Sequence, residues 1–296
     1  MHNLKTKLIL NPYAGKKRLD KEIDTIKKTL TSEGLNFDLA FTQKPKDGIY
    51  LAKKAAEEGF NLIVSVGGDG TINEVVNGII GFEEVILGVI SIGSGNDFAW
   101  MIGVCPKDIE KACKTLCHGT IKEIDVGVVN DRYFVNGLGI GFDAQVARER
   151  LKYKGILSGV SLYLYAVIKT LFKYKSTPSN IKLDDKIINI NSLLIAIGGG
   201  KRCGGGFLLT PEAILDDGLF DVCIIQHIGK LKALCSLPKI LKGTHTTMSE
   251  VNMYRAKQIS VHLPISLIAH VDGEIIEGST YQIELLHRKL KVIGNW

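Results

Sequence analysis

The chain has 296 residues, 45% hydrophobic and 23% charged, with a formal net charge of +6. That length fits one large or two medium domains with ample core, the composition is that of an ordinary soluble protein, and the mild basic charge suits an anionic partner without separating nucleotide, nucleic acid and anionic lipid. Six scattered cysteines (Cys105, Cys113, Cys117, Cys203, Cys223, Cys235) form no Cys-x-x-Cys pair and have no histidine at zinc spacing, which excludes a zinc module and predicts buried thiols in a reducing cytosol.

The N-terminus runs into a strand at residues 8–11 and lacks the apolar core of a signal peptide, so no leader is expected. A helix is predicted over 19–33, with Leu19, Ile23, Ile26 and Leu30 on one face and Gly34 as its stop, then a strand over 36–42 and a helix over 48–58 ended by Gly59. Residues 62–66 are a buried strand, 72–80 a helix, 85–92 a strand and 108–117 a helix. This alternation predicts a mainly parallel sheet covered on both faces, whose ligands bind beyond the carboxyl ends of the strands. After Asp125 short extended runs take over: 126–129, 133–137, 181–183, 187–190, 193–197, 219–225, 259–263, 268–271 and 283–285. Helices are predicted at 159–173 and 230–242, and the run 289–293 returns to the first domain. The expected fold is therefore an α/β N-terminal domain, residues 1–126 plus about 287–296, and a largely β C-terminal domain, residues 127–286. The most hydrophobic window, 155–172, is interrupted by Ser158, Ser161, Lys169 and Thr170 and falls short of a membrane span.

Four segments sit at predicted strand ends: Asn11-Pro12-Tyr13-Ala14-Gly15, Thr42, Gly67-Gly68-Asp69-Gly70-Thr71-Ile72-Asn73-Glu74, and Gly93-Ser94-Gly95-Asn96-Asp97. In a parallel sheet all four share one edge. The third is the most informative, because its three glycines let backbone N–H groups approach an anion, with a helix N-terminus behind them. Asp69 in that turn would repel a phosphate unless a cation lay between them, so the turn points to phosphate with Mg²⁺.

Two acidic segments mark the second half. Thr210–Asp221 carries Glu212, Asp216, Asp217 and Asp221 around Gly218; it is either a solvated turn or a loop in which one Asp and nearby carbonyls hold Mg²⁺. Asp272-Gly273-Glu274 follows an apolar strand; it is either an exposed hairpin turn or the carrier of a general base, Glu274.

These motifs, with Asn136-Gly137-x-Gly139-x-Gly141-Phe142-Asp143-Ala144, Gly204-Gly205-Gly206-Phe207 and Asp217-Gly218-x-Phe220-Asp221, resemble the catalytic domain of the diacylglycerol kinase family, over nearly the whole chain and in the order of its soluble bacterial lipid kinases. The resemblance implies a phosphofructokinase/NAD kinase-like nucleotide-binding domain, a β-sandwich domain and ATP in the cleft between them. It implies that Asn11, Pro12, Tyr13, Ala14, Gly15, Thr42, Gly67, Gly68, Asp69, Gly70, Thr71, Asn73, Glu74, Ser94 and Asn96 line the ATP site. Asp69 would act through water and Mg²⁺, with Asp97 and Asp125 extending the acidic water network; Asp217, with the carbonyls of Ile214 and Leu219, would hold a structural Mg²⁺; Glu274 would be the catalytic base. Two departures stand out. Ser91-Ile92-Gly93-Ser94 replaces the family's frequent Pro-x-Gly-Thr, and the family's frequent His after the second strand is absent near Gly48.

Seven basic residues (Arg148, Arg150, Lys152, Lys154, Lys169, Lys173, Lys175) flank the apolar stretch 156–172, either as a membrane-facing surface or as solvated ends of a core helix. The expectation is a cytoplasmic ATP- and Mg²⁺-dependent kinase, peripheral at the inner face of the membrane, that phosphorylates a lipid hydroxyl, diacylglycerol first, then phosphatidylglycerol or a sphingoid alcohol. No nucleic-acid partner is expected, and a homodimer is compatible. The competing readings are an NAD kinase or sugar-phosphate kinase, and a non-enzymatic lipid- or nucleotide-binding regulator.

Overall fold

In a computed structural model, described over residues 4–14, 20–152 and 159–296 with the side chains of residues 159–161 and 163 excepted, the chain divides into two compact units. One is Met1–Val126 with Arg288–Trp296, the other Gly127–His287.

The first unit is built on parallel strands β1 (Thr6–Leu10), β2 (Phe37–Phe41), β3 (Leu62–Gly67) and β4 (Ile86–Ser91). β1 lies between β2 and β3, and β3 pairs with β4. β3 and β4 are buried at every position, as continuous apolar runs covered on both faces must be. The helices are α1 (Asp20–Ser32), α2 (Asp47–Glu57), α3 (Asp69–Ile79), α4 (Asp97–Met101) and α5 (Ile109–His118). Leu19, expected to open α1, lies outside the described residues. α3 starts three residues before the predicted 72, because Gly68 takes an extended backbone as N-cap and the polar Asp69-Gly70-Thr71 forms a first turn that hydrophobic periodicity does not reveal. α4 is too short to show periodicity and was not expected.

In the second unit, β5 (Thr120–Val129) enters from the first, followed by β6 (Arg132–Phe134), β7 (Gly137–Gly141), α6 (Phe142–Lys152), α7 (Gly159–Lys173), β8 (Thr177–Leu183) and β9 (Lys186–Gly198). Then come β10 (Phe220–Gln226), α8 (Lys230–Leu241), β11 (Val251–Ala256), β12 (Gln258–Val271) and β13 (Glu274–Gly294). The final residues of β13 run parallel beside β4 in the first unit, Lys291 opposite Ile86. Within the second unit pairing is antiparallel, and the long strands change partner along their length. The first half of β9 pairs with β8 and its second half with β7 and β10; β12 pairs with β8 early and β7 late. Partner exchange of this kind joins two layers around one core, as in a β-sandwich.

Several predicted short runs merge. The polar Asn191 and Ser192 concealed the continuity of β9, and a register shift between His262 and Leu267 concealed that of β12. Tyr281 pins that shift, its buried ring delivering a hydroxyl that donates to the Leu267 carbonyl at 2.6 Å. α6 was missed because its sequence is mostly polar, and β11 because Asn252, Tyr254 and Arg255 interrupt the apolar pattern. At the core Phe134 stacks on Phe220 with centroids 5.5 Å apart, over Gly127, where a Cβ would meet the Phe134 ring at 2.2 Å. Phe134→Ala is expected to cost about 3–5 kcal/mol, read by urea denaturation, because the rings and the glycine cannot collapse into the space left.

Candidate active site

Parallel register places the carboxyl ends of β1 to β4 at one edge of the first unit, and the backbone ladder continues one residue beyond them. Asn11 N–H donates to Val66 O at 3.0 Å, Thr42 N–H to Leu10 O at 2.9 Å and Ile92 N–H to Gly67 O at 2.8 Å. The turns that follow are knit together by side chains. Asn11 Nδ2 donates to Thr71 Oγ1 at 3.1 Å, and its Oδ1 accepts the Tyr13 N–H at 3.0 Å. Gly67 must lack a side chain, since a Cβ there would lie 2.3 Å from Thr71 Oγ1; a Cβ on Gly93 would lie 2.6 Å from Gly68 Cα. The two glycine turns therefore touch backbone to backbone.

Asp69 holds them in place. Its Oδ2 accepts the Asn96 N–H at 2.7 Å and its Oδ1 the Phe98 N–H at 3.3 Å. Asn96, at φ 58, also takes the Ser91 hydroxyl on Oδ1 at 2.7 Å and donates Nδ2 to Gly93 O at 2.9 Å. Gly68 supplies no side-chain cap to α3.

The other expected positions divide in two. Tyr13 and Ser94 are exposed at this edge, Pro12 and Ala14 complete the turn after β1, and Thr42 is buried there; Gly15 lies outside the described residues. Glu74, by contrast, faces α2, where its carboxylate accepts the Lys46 and Gly48 N–H groups, each at 2.9 Å. Asn73 is buried within α3, with Asn77 Nδ2 donating to its Oδ1 at 3.3 Å, and Gly70 sits in the first turn. Asp97 is buried at the start of α4, and Asp125, buried on β5, accepts the Arg288 N–H at 2.8 Å.

In the second unit Asp272-Gly273 is a hairpin turn, with φ values of 48 and 90 and Val271 opposite Glu274. It is also anchored. The Asp272 carboxylate accepts the N–H groups of Val135, Asn136 and Gly137 at 2.9, 3.0 and 2.8 Å, and its own N–H donates to Gly137 O at 2.9 Å. Glu274 stands exposed two residues on, at the first position of β13. Two residues before the turn, His270 Nε2 meets Asp143 Oδ2 at 3.0 Å. Burial pushes His270 down, but the Asp143 and Asp272 charges outweigh it and raise its pKa above the ordinary value. Asp143 and His270 were not picked out as site residues. The signals were Asp143 inside the Gly141-Phe142-Asp143-Ala144 motif and a polar residue, His270, in an otherwise apolar strand end.

The Asp217 loop is already balanced by a cation of the protein. Asp217 Oδ2 engages Arg255, its Oδ1 accepts the Leu219 N–H at 3.1 Å, and Arg255 reaches Asp221 at 3.7 Å. Ile214 is exposed. Elsewhere in this unit α6, α7 and α8 cover an apolar cavity of about 70 Å³ over β9 and β10. Its few polar walls are Asp143, Ser236 and His245. Burial lowers the His245 pKa, only partly offset by its bond to the Leu209 carbonyl, so the wall stays uncharged there.

An α/β unit with glycine turns beyond its parallel strands, followed in the chain by a β-sandwich-like unit with an apolar cavity, defines the class. Residues 5–129 match the diacylglycerol kinase catalytic domain, and residues 136–294 the YegS C-terminal NAD kinase beta sandwich-like domain. The chain belongs to this lipid kinase family. It is 30% identical to a diacylglycerol kinase of Bacillus subtilis (strain 168) over 91% of this chain and 89% of that one. It is 31% identical to a diacylglycerol kinase of Staphylococcus aureus (strain MRSA252), over 91% and 86%. A crystal structure from Bacillus anthracis str. Sterne superposes with a TM-score of 0.84 at 26% identity, covering 98% of this chain and 97% of that one.

Asp272→Ala would strand three backbone donors, and a loss of about 2–4 kcal/mol is expected on urea denaturation. The raised His270 pKa makes its pair stabilising, fully so below the ordinary value of 6.5 and lost as pH rises through the folded value. Stability measured against pH should therefore fall above that point in the wild type, and His270→Asn should flatten the slope.

Proposed function

We propose that the protein is an ATP-dependent lipid kinase that transfers the γ-phosphate to a hydroxyl of a membrane lipid, with diacylglycerol the favoured acceptor and phosphatidic acid the product. The observation that carries the lipid side is the apolar cavity of the second unit, with Asp143 on its wall and His270 bound to that carboxylate. About 70 Å³ holds a few methylenes of an acyl chain. The family names support the kinase side.

In this reading the N-terminus of α3 and the glycine turns receive the phosphates, with Tyr13, Thr42 and Ser94 beside them. Asp69 faces the phosphates with a carboxylate already fixed by two N–H donors, so it moves little as charge develops. Mg²⁺ bound near Asp69, with Asp97 and Asp125 behind it, would supply neutralising charge. A Mg²⁺ at Asp217, with the carbonyls of Ile214 and Leu219, would take the position that Arg255 holds. Glu274 accepts the proton of the acceptor hydroxyl, its backbone held by the Asp272 anchor two residues away. The protein works at the inner face of the membrane. No helix among the described residues is long and apolar enough to cross it. Lys152 and Lys169 share the single carboxylate of Glu149, which cancels one of their two charges, and Arg148, Lys173 and Lys175 add exposed positive charge to the segment; Lys154 lies outside the described residues.

Labelled ATP offered with dispersed diacylglycerol, NAD or fructose 6-phosphate tests the acceptor class: phosphate should pass to the lipid alone, and transfer to NAD alone would overturn the reading. Glu274→Gln should lower lipid turnover by about 10²–10⁴-fold while ATP affinity holds. Wild-type turnover in that variant would remove Glu274 as the base.

A further inference from the structure

A second pocket in the same unit, polar where the first is apolar, lies between α6 and α7. It measures about 260 Å³ and is lined by Gln145, Glu149, Lys152, Lys169, Thr170 and Lys173, with Tyr174 as a further wall. Glu149 is buried, and hydrogen bonds from Lys169 and Lys152 hold its carboxyl below the usual carboxylate range. Lys169 Nζ lies 2.5 Å from one oxygen and Lys152 Nζ 2.9 Å from the other. One carboxylate thus gathers ammonium groups from two helices to one point. Lys173, a helical turn beyond Lys169, adds a third. Three lysines against one carboxylate leave two positive charges, the complement of a phosphate monoester.

An independent observation comes from Thr170. It is 5% exposed, it lines this pocket, and its Oγ1 is buried with no hydrogen-bond partner among the described residues. A buried hydroxyl without a partner costs free energy unless a ligand or water completes it. A phosphate oxygen held by the lysines would do so once the hydroxyl turns into the pocket that this residue lines.

The surroundings say where the phosphate comes from. Leu151 at the end of α6 is 60% exposed and Phe172 near the end of α7 is 62% exposed, with Leu164 and Tyr165 also exposed on α7. Tyr165, Lys169 and Phe172 follow at i, i+4 and i+7 along one helix face. Lys230 fastens the end of α7 by donating to Phe172 O at 2.9 Å. Exposed apolar side chains interleaved with lysines suit an interface of headgroups and acyl chains, and a free phosphate would have no use for them.

We propose that the α6–α7 pocket seats the phosphate monoester headgroup of a membrane lipid, an inference that rests on the lipid-kinase reading only in taking the bilayer as the place of work. This seat is distinct from the Glu274 site. It recognises the headgroup class that the reaction produces, so the enzyme would bind preferentially to membrane already holding its product.

Vesicle flotation tests it, with phosphatidylcholine carrying either phosphatidic acid, a monoester, or phosphatidylglycerol, a diester, at matched surface charge. The wild type should bind the phosphatidic acid vesicles about tenfold more tightly, the effect of one added charge-assisted hydrogen bond. Thr170→Val and Lys173→Gln should each bring the two affinities together. Lys175→Gln, outside the pocket, should lower both by about fivefold and leave their ratio unchanged. Thr170→Val keeps the shape of the side chain and serves as the decisive variant if Lys173→Gln shifts the melting temperature. Equal wild-type binding to both vesicles, or a preference that survives Thr170→Val, would overturn the proposal. Displacement from phosphatidic acid vesicles by equimolar glycerol 3-phosphate would overturn the lipid as source. Turnover on detergent-dispersed diacylglycerol, read in parallel, separates this outcome from the kinase reading. A wild type with the vesicle preference but no lipid phosphorylation refutes the kinase and keeps the pocket; lipid phosphorylation without the preference does the reverse.

Discussion

The Asp69 carboxylate, tied to the N–H groups of Asn96 and Phe98, is the constraint on which the glycine-turn edge of the first unit depends. Two glycine turns that approach backbone to backbone have no side chains of their own to hold them together. Asp69 is the first residue of α3, where a negative charge suits the helix N-terminus, and it reaches across to the N-terminus of α4. One carboxylate therefore sets the spacing between two helix starts. Hydrogen bonds to a charged group contribute about 1.5–3 kcal/mol each, enough to fix a loop that glycine would otherwise leave loose.

The second unit solves the same problem with the same chemistry. Asp272 sits in a tight turn beside a glycine and gathers three N–H groups from the start of β7, while Glu274 follows on the next strand. In both units the carboxylate of an Asp next to Gly is spent on backbone donors. A carboxylate in a glycine turn is thus ambiguous by itself. Its hydrogen-bond partners decide whether it is scaffold, ligand or base, and those partners lie 27 to 137 residues away in sequence.

That distance explains what could be read in advance. The alternation of strands and helices before Asp125 was legible because it is written in local periodicity, as were the glycine turns, whose residue types state their backbone needs. The work of Glu74 was not legible: its place in the glycine motif suggested a ligand, whereas its carboxylate closes the N-terminus of α2. Nor was the Asp143–His270 pair, since the two residues meet only when β12 lies against β7. α6 escaped notice for the opposite reason. Its buried carboxylates, Asp143 and Glu149, read locally as surface residues, yet each is buried against a basic partner on another element.

Those two carboxylates give α6 its place between two environments. Asp143, at its start, lies on the wall of the apolar cavity; Glu149, under two turns later, gathers the lysines of the polar pocket. Phe142 lines the cavity and Tyr174 the pocket, and the rings meet edge to face at 5.8 Å, so a displacement on one side bears directly on the other. Burial, with the Asp143 charge adding to it, pushes the Tyr174 hydroxyl up to about 12, which keeps that contact neutral. Under the proposed reading, a chain in the cavity would lie against Phe142 and the lining residues of α8. α6 and α7 thus each contribute residues to the apolar cavity and to the lysine pocket, so the two hollows share the walls that these helices form.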